Sequence, residues 1–205
     1  MGSIHLNDTK IKPSKIVCVG RNYVEHIKEL DNLMPDQMVV FNKPATAISP
    51  TLYSSHQKTA LHYETEICFL IEGGKYVAVG LGLDLTKRDT QTELKQKGLP
   101  WERAKAFDGS AVFSRFLPLE GLDVNDLHME LLINCVHVQK GHVEQMIYPP
   151  ITILNELCSF TTLEDGDVVM TGTPKGVGEV HKGDVFLGRL KCADVTLLEV
   201  EWVAV

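Results

Sequence analysis

The 205-residue sequence has no Cys-x-x-Cys pair, no apolar run of membrane-spanning length and no excess of basic residues. Each absence removes a class of function. Its five cysteines, at 18, 68, 135, 158 and 192, fit neither a zinc knuckle nor a disulfide framework. Reduced, packed thiols are expected instead, with Cys18, Cys68 and Cys135 inside apolar strand-like runs. Twenty Lys and Arg against 27 Asp and Glu give a formal net charge of -7. A general nucleic-acid binder needs a dense basic face to displace counterions, so that class is set aside. Lys95 and Lys97, in "TQTELKQKG", read as the solvated face of a helix. The start, "MGSIHLNDTKIKPSK", lacks the charged leader and apolar core of a secretory signal. A cytoplasmic chain with no membrane partner is expected, with residues 1–14 as a loose tail and 15–205 as a single domain.

No internal repeat, low-complexity tract or regular strand-helix alternation divides the chain. Short apolar runs dominate: "KIVCVG", "MVVFNK", "TEICFLI", "YVAVGLGLDLT", "MELLINCVHV", "DVVMTGT" and "VTLLEVEWV" each have strand length and β-branched enrichment. Three helices are expected, over "NYVEHIKEL", "KRDTQTELKQK" and "ITILNELCSF", the second capped by Thr86 and closed by Gly98. "EDGD" and "HKGD" read as tight connections. Strand-rich with few helices points to an α+β fold.

Chemistry gathers in "LHYETEICFLI", where Glu64 and Glu66 lie two residues apart on a strand. Side chains at i and i+2 share a face, roughly 7 Å apart at the Cα. A solvated polar face is the commoner meaning of Glu-x-Glu taken alone. Buried together, two carboxylates would cost several kcal/mol unless a cation joined them. Asp84 ends another apolar strand and could complete a hard-oxygen site suited to Mg²⁺ or Mn²⁺. Zinc chemistry fits less well, because His62-x-Glu64 is not followed by Pro-Cys-x-x-Cys and no His-Glu-x-x-His occurs. His26 and Glu29 lie three residues apart, on one face if the segment is helical, and could act as a proton-handling dyad or form an exposed pair. "TGTPKGVG" offers backbone N–H groups, although it matches neither nucleotide-binding glycine pattern.

In order, "VCVGRNYVEHIKE", "FNKPATAI", "LHYETEICFLI", "GLDLTKRDTQ", "KGLPWERAKAFDGS" and "FTTLEDGDVVMTGTPKGVG" resemble the fumarylacetoacetate hydrolase superfamily. The likeness is to its short branch of acylpyruvate hydrolases and oxaloacetate decarboxylases. It implies a mixed β-sandwich roll, a homodimer and one catalytic domain. It also implies metal ligation by Glu64, Glu66 and Asp84, a His26–Glu29 dyad, and Lys105 beside the substrate. Arg21, Arg88, Gln91, Gly172 and Thr173 are implied substrate contacts. The implied substrate is a small 2-oxo acid. Metal-dependent hydrolysis of acylpyruvates to pyruvate and a carboxylic acid is the leading activity; oxaloacetate decarboxylation, or isomerisation or decarboxylation of a longer dicarboxylate, is the alternative. Two departures, Arg115 in "AVFSRF" and Lys175 in the glycine loop, bear on substrate preference through an added cation near the mouth.

Overall fold

Runs of Val, Ile, Leu and Phe favour pleated, buried strands, and the computed structural model, which describes residues 2–31 and 33–205, is built mostly from them. One mixed sheet is ordered Ala111–Phe113, Lys75–Asp84, Thr65–Glu72, Val168–Met170, Lys15–Gly20 and Val39–Pro44. Val168–Met170 runs parallel to Lys15–Gly20, and the other neighbours are antiparallel. A second, antiparallel sheet is ordered Val136–His142, Leu127–Ile133, Val185–Cys192 and Val195–Val203. Phe69, Val79 and Leu81 of the first sheet share one buried cluster with Met129, Leu131, Phe186 and Leu190 of the second. The two sheets therefore close on each other as the expected sandwich roll.

Among the described residues, four α-helices border the sheets: α1 (Val24–Glu29), α2 (Arg88–Gln96), α3 (Glu102–Lys105) and α4 (Pro150–Phe160). α4 packs Ile153, Leu154 and Leu157 against Val17, Val19 and Val169. The mixed sheet is thereby covered on both faces, which is why its strands read as unbroken apolar runs rather than alternating ones. No helix among the described residues is long and apolar enough to cross a membrane.

Several expectations need correction. "MELLINCVHV" is not one strand: Asn134 (φ 50°) and Cys135 (φ 66°) turn the chain into a hairpin. Cys135 is accordingly exposed rather than packed. The strand Val185–Cys192 and the short α3 were not anticipated. Residues 4–11 are not a loose tail, because Ile4–Leu6 pairs with Thr9–Ile11 and Ile4 is buried. The Phe116 N–H donates to the His5 carbonyl at 2.7 Å, which fastens this hairpin to the domain. Lys87, not Thr86, holds the N-cap position of α2, and the Thr86 hydroxyl turns inward to the Asp84 carbonyl and Lys105. "EDGD" and "HKGD" do form tight turns, closed by Asp167 N–H to Glu164 O and Asp184 N–H to His181 O.

Asp167 locks the parallel strand pair at its start. Its carboxylate accepts from the Ser14 and Lys15 N–H groups, the Ser14 hydroxyl, the Lys15 ammonium at 2.6 Å and the Glu164 N–H. Burial pushes its pKa up, but the bonds from Lys15, Ser14 and Glu164 override that and hold it below the ordinary aspartate value. A depressed native pKa contributes stability that is complete above the unfolded value and is lost as pH falls through the native one. Asp167→Asn should therefore cost about 2–3 kcal/mol at neutral pH. In denaturant titrations, the gap from wild type should narrow as the pH is taken below the ordinary aspartate range; a constant gap would contradict the role of the charge.

Candidate metal centre and active site

Strand pairing delivers the three acids. Glu66 lies in Thr65–Glu72 opposite Gly82 of Lys75–Asp84, whose last residue is Asp84. Glu64 sits just before that strand, and its carbonyl accepts the Asp84 N–H at 2.8 Å. Gly82 leaves no space to spare, since a Cβ there would stand 2.7 Å from Cys68 Sγ and 2.8 Å from the Phe113 ring. One oxygen from each of Glu64, Glu66 and Asp84 lies within 4.8 Å of the others, and all three residues are buried.

Three buried carboxylates at this spacing demand positive charge, and the surrounding elements supply it. From the end of α3, Lys105 Nζ donates to Glu64 Oε2 at 2.8 Å, Asp84 Oδ2 at 2.7 Å and Thr86 Oγ1 at 2.6 Å. All three ammonium hydrogens are thereby used. Lys43 Nζ lies 2.7 Å from Asp84 Oδ1 and donates to the Lys105 carbonyl, pinning two parts of the site from one side chain. Arg88 of α2 donates to Glu64 Oε1, and Gly172 N–H donates to Glu66 Oε2 at 2.6 Å.

The acids diverge as a result. Burial pushes Glu64 up, yet Lys105, Arg88 and His26 together pull it well below the ordinary carboxylate range. Glu66 goes the other way: burial, then the charges of Asp84 and Glu64, raise it well above that range. Lys105 is raised, because its attraction to Asp84 and Glu64 exceeds the burial that opposes it. An all-carboxylate donor set suits a hard divalent ion such as Mg²⁺ or Mn²⁺.

His26 and Glu29 do share a face of α1, with His26 Nδ1 3.2 Å from Glu29 Oε2. The second Glu29 oxygen accepts the Gly176 N–H at 2.9 Å, so the glycine loop braces the dyad. With a carboxylate at Nδ1, neutral His26 carries its proton there and leaves Nε2 as the basic nitrogen. Burial lowers the His26 pKa, with Glu64 and Glu29 only partly opposing it.

His26, Glu64, Arg88, Gln91 and Lys105 line one cavity of about 30 Å³, together with Arg21, Phe41, Lys95 and Trp101. Arg88 Nη1 donates to Gln91 Oε1 at 2.8 Å, which orders both side chains. Gly172 and Thr173 lie elsewhere. Gly172 (φ 99°) caps Glu66, and the buried Thr173 hydroxyl donates to the Thr65 carbonyl at 2.8 Å while accepting from Gln139. Arg115 lines a separate, larger cavity with Gly2, His5 and Lys10, away from the acids. Lys175 bears on Glu25 of α1. Sequence reasoning missed Lys43, whose signal was a lone lysine in the apolar run "MVVFNK". Lys95, expected on a solvated helix face, is half-buried and also lines the cavity, while Lys97 is exposed and paired with Glu93 at 2.5 Å.

Residues 15–197 match the family model described as fumarylacetoacetate (FAA) hydrolase, C-terminal. The mitochondrial oxaloacetate tautomerase of Bos taurus is 40% identical over 187 residues, covering 82% of this chain and 83% of the relative. The oxaloacetate tautomerase YcgM of Escherichia coli is 38% identical over 187 residues, covering 83% and 85%. Among solved structures, fumarylpyruvate hydrolase from Pseudomonas aeruginosa in complex with Mn²⁺ and pyruvate superposes with a TM-score of 0.88 at 29% identity, covering 99% and 95%.

A cation that binds only the folded site raises stability by about 2.7 kcal/mol at 100 times its Kd, or roughly 5–10 °C for a chain of this length. Mg²⁺ or Mn²⁺ should produce such a shift in the thermal midpoint, and Asp84→Asn should remove it. An equal shift in the variant would contradict ligation by this residue.

Proposed function

This chain belongs to the fumarylacetoacetate hydrolase family, and we propose that it is a divalent-metal-dependent enzyme interconverting the enol and keto forms of oxaloacetate, with residues 15–205 as one catalytic domain. One observation carries this reading: His26 of the dyad and Glu64 of the acid cluster line the same cavity, an arrangement suited to a proton carrier beside carboxylates that could hold a cation. The activity named for relatives near 40% identity supports the choice of reaction.

Tautomerisation moves one proton. The enol O–H bond breaks, a C–H bond forms at C3, and no redox change occurs. His26, kept neutral by burial, suits both steps: Nε2 accepts the proton and returns it, while Glu29 fixes the ring and steadies the imidazolium between them. Lys105 offsets the negative charge that grows on the substrate oxygen as its proton leaves. Arg88 and Gln91, already bonded to each other, orient the 2-oxo acid end. Glu64, Glu66 and Asp84 would hold a divalent cation, which would supply Lewis acidity for such a substrate.

Acylpyruvate hydrolysis is the second reading, favoured by the fumarylpyruvate hydrolase whose structure this chain resembles. It uses the same residues but needs a water for His26 and Glu29 to activate. The resemblance also adds a homodimer to the proposal.

Decay of the enol absorbance of oxaloacetate, with Mg²⁺ and with chelator, alongside pyruvate release from acetylpyruvate, separates the two readings. Faster chelator-sensitive enol decay is the expected result, and pyruvate release from acetylpyruvate without enol decay would overturn it. His26→Ala should lower kcat by about 10²- to 10⁴-fold. The rate should fall on the acid side as His26 protonates, with its midpoint below that of an ordinary histidine because burial depresses the native pKa. A midpoint at or above the ordinary value would contradict His26 as the base.

A further inference from the structure

The strand Val39–Pro44 ends the mixed sheet, yet its Lys43 is fully buried. Phe41 and Lys43 are two residues apart on this strand and share a face, and both meet α3 or the residue that starts it. α3 spans four residues, Glu102–Lys105, and no side chain caps its start. A helix of one turn does not support itself in water, and its last carbonyls have no donor within the helix. The strand supplies what the helix lacks. At the start, the Trp101 ring packs on Phe41 with ring centres 5.7 Å apart; at the end, Lys43 Nζ donates to the Lys105 carbonyl. The Lys105 ammonium itself stands over the Phe41 ring, 5.4 Å from its centre. One further bond, from the Lys87 N–H to the Ala104 carbonyl at 3.0 Å, ties the same turn to the start of α2.

Lys43 has a second target. Its Nζ lies 2.7 Å from Asp84 Oδ1, while Lys105 Nζ donates to Asp84 Oδ2, also at 2.7 Å. One ammonium group therefore grips both the backbone of Lys105 and a carboxylate that receives the Lys105 ammonium. An apolar side chain would fill the same buried space without the cost of desolvating a charge, so these two contacts are what a lysine adds here. Lys105 lines the cavity and Lys43 does not. Any influence of Lys43 on a substrate must pass through the groups that it holds.

We propose that Lys43 is a positioning residue: by holding the Lys105 carbonyl and Asp84 together, it sets the place of the Lys105 ammonium against the 2-oxo acid. Its effect on turnover runs through Lys105. This rests on the 2-oxo acid reading of the site and deepens it.

A double-mutant cycle over Lys43→Met and Lys105→Met tests this. Oxalate, an unreactive planar dianion shaped like an enolised 2-oxo acid, is titrated calorimetrically into the Mg²⁺-loaded proteins, and kcat for oxaloacetate enol decay is measured at saturating Mg²⁺. Lys43→Met should still bind one Mn²⁺ per chain, weaken oxalate by about tenfold and lower kcat by up to about 10²-fold, the scale of a 1 Å misplacement. In the Lys105→Met background the same substitution should change neither quantity further. Lys43→Arg, which keeps the charge and more than one donor, should recover most of both losses. Lys43→Gln, a milder truncation, carries the same cycle if the Met variant does not fold. Equal losses in both backgrounds would make Lys43 a structural residue and overturn the proposal. Loss of the Mn²⁺ site, or unchanged oxalate binding and kcat in Lys43→Met, would also overturn it. A wild type that binds no oxalate would overturn both this proposal and the 2-oxo acid reading. An oxalate effect of Lys43 that vanishes without Lys105, in a protein that shows no enol decay, would contradict the proposed reaction and leave the positioning standing.

Discussion

Repulsion among three buried carboxylates is the constraint around which this molecule is organised. Glu64, Glu66 and Asp84 are forced together by strand register, and none is solvated. Left alone, such a cluster would protonate or unfold. The fold answers with charge from three directions: Lys43 from an outer strand, Lys105 from α3 and Arg88 from α2. The Gly172 N–H, from the loop beyond the central Val168–Met170 strand, completes the set at Glu66. Positions far apart in the chain are thus tied to one electrostatic requirement.

Much of this was legible in the sequence because it depends on local periodicity. Glu-x-Glu on an apolar strand places both acids on one face, and the i, i+3 spacing of His26 and Glu29 survives any small error in helix bounds. Strands buried on both faces announce themselves as unbroken apolar runs. What failed depends on tertiary packing. Lys43 is a strand residue whose meaning comes only from Asp84, 41 positions later, across the sheet. Lys95 differs from the solvated Lys97 only in which side of α2 meets Trp101 and the cavity. The turn at Asn134 and Cys135 lacks glycine, so an apolar run hid a hairpin. The bonds from Gly172 N–H to Glu66 and from the Thr173 hydroxyl to the Thr65 carbonyl likewise arise only from the packing of the glycine loop.

The central claim is that the acid cluster exists to hold one divalent ion. Electron paramagnetic resonance of added Mn²⁺ tests it directly, because the free-ion signal disappears on binding. One Mn²⁺ bound per wild-type chain, and none by a folded Glu66→Gln variant, is the predicted result. A wild type that leaves the free-ion signal unchanged, or a variant that binds Mn²⁺ as tightly, would contradict the account.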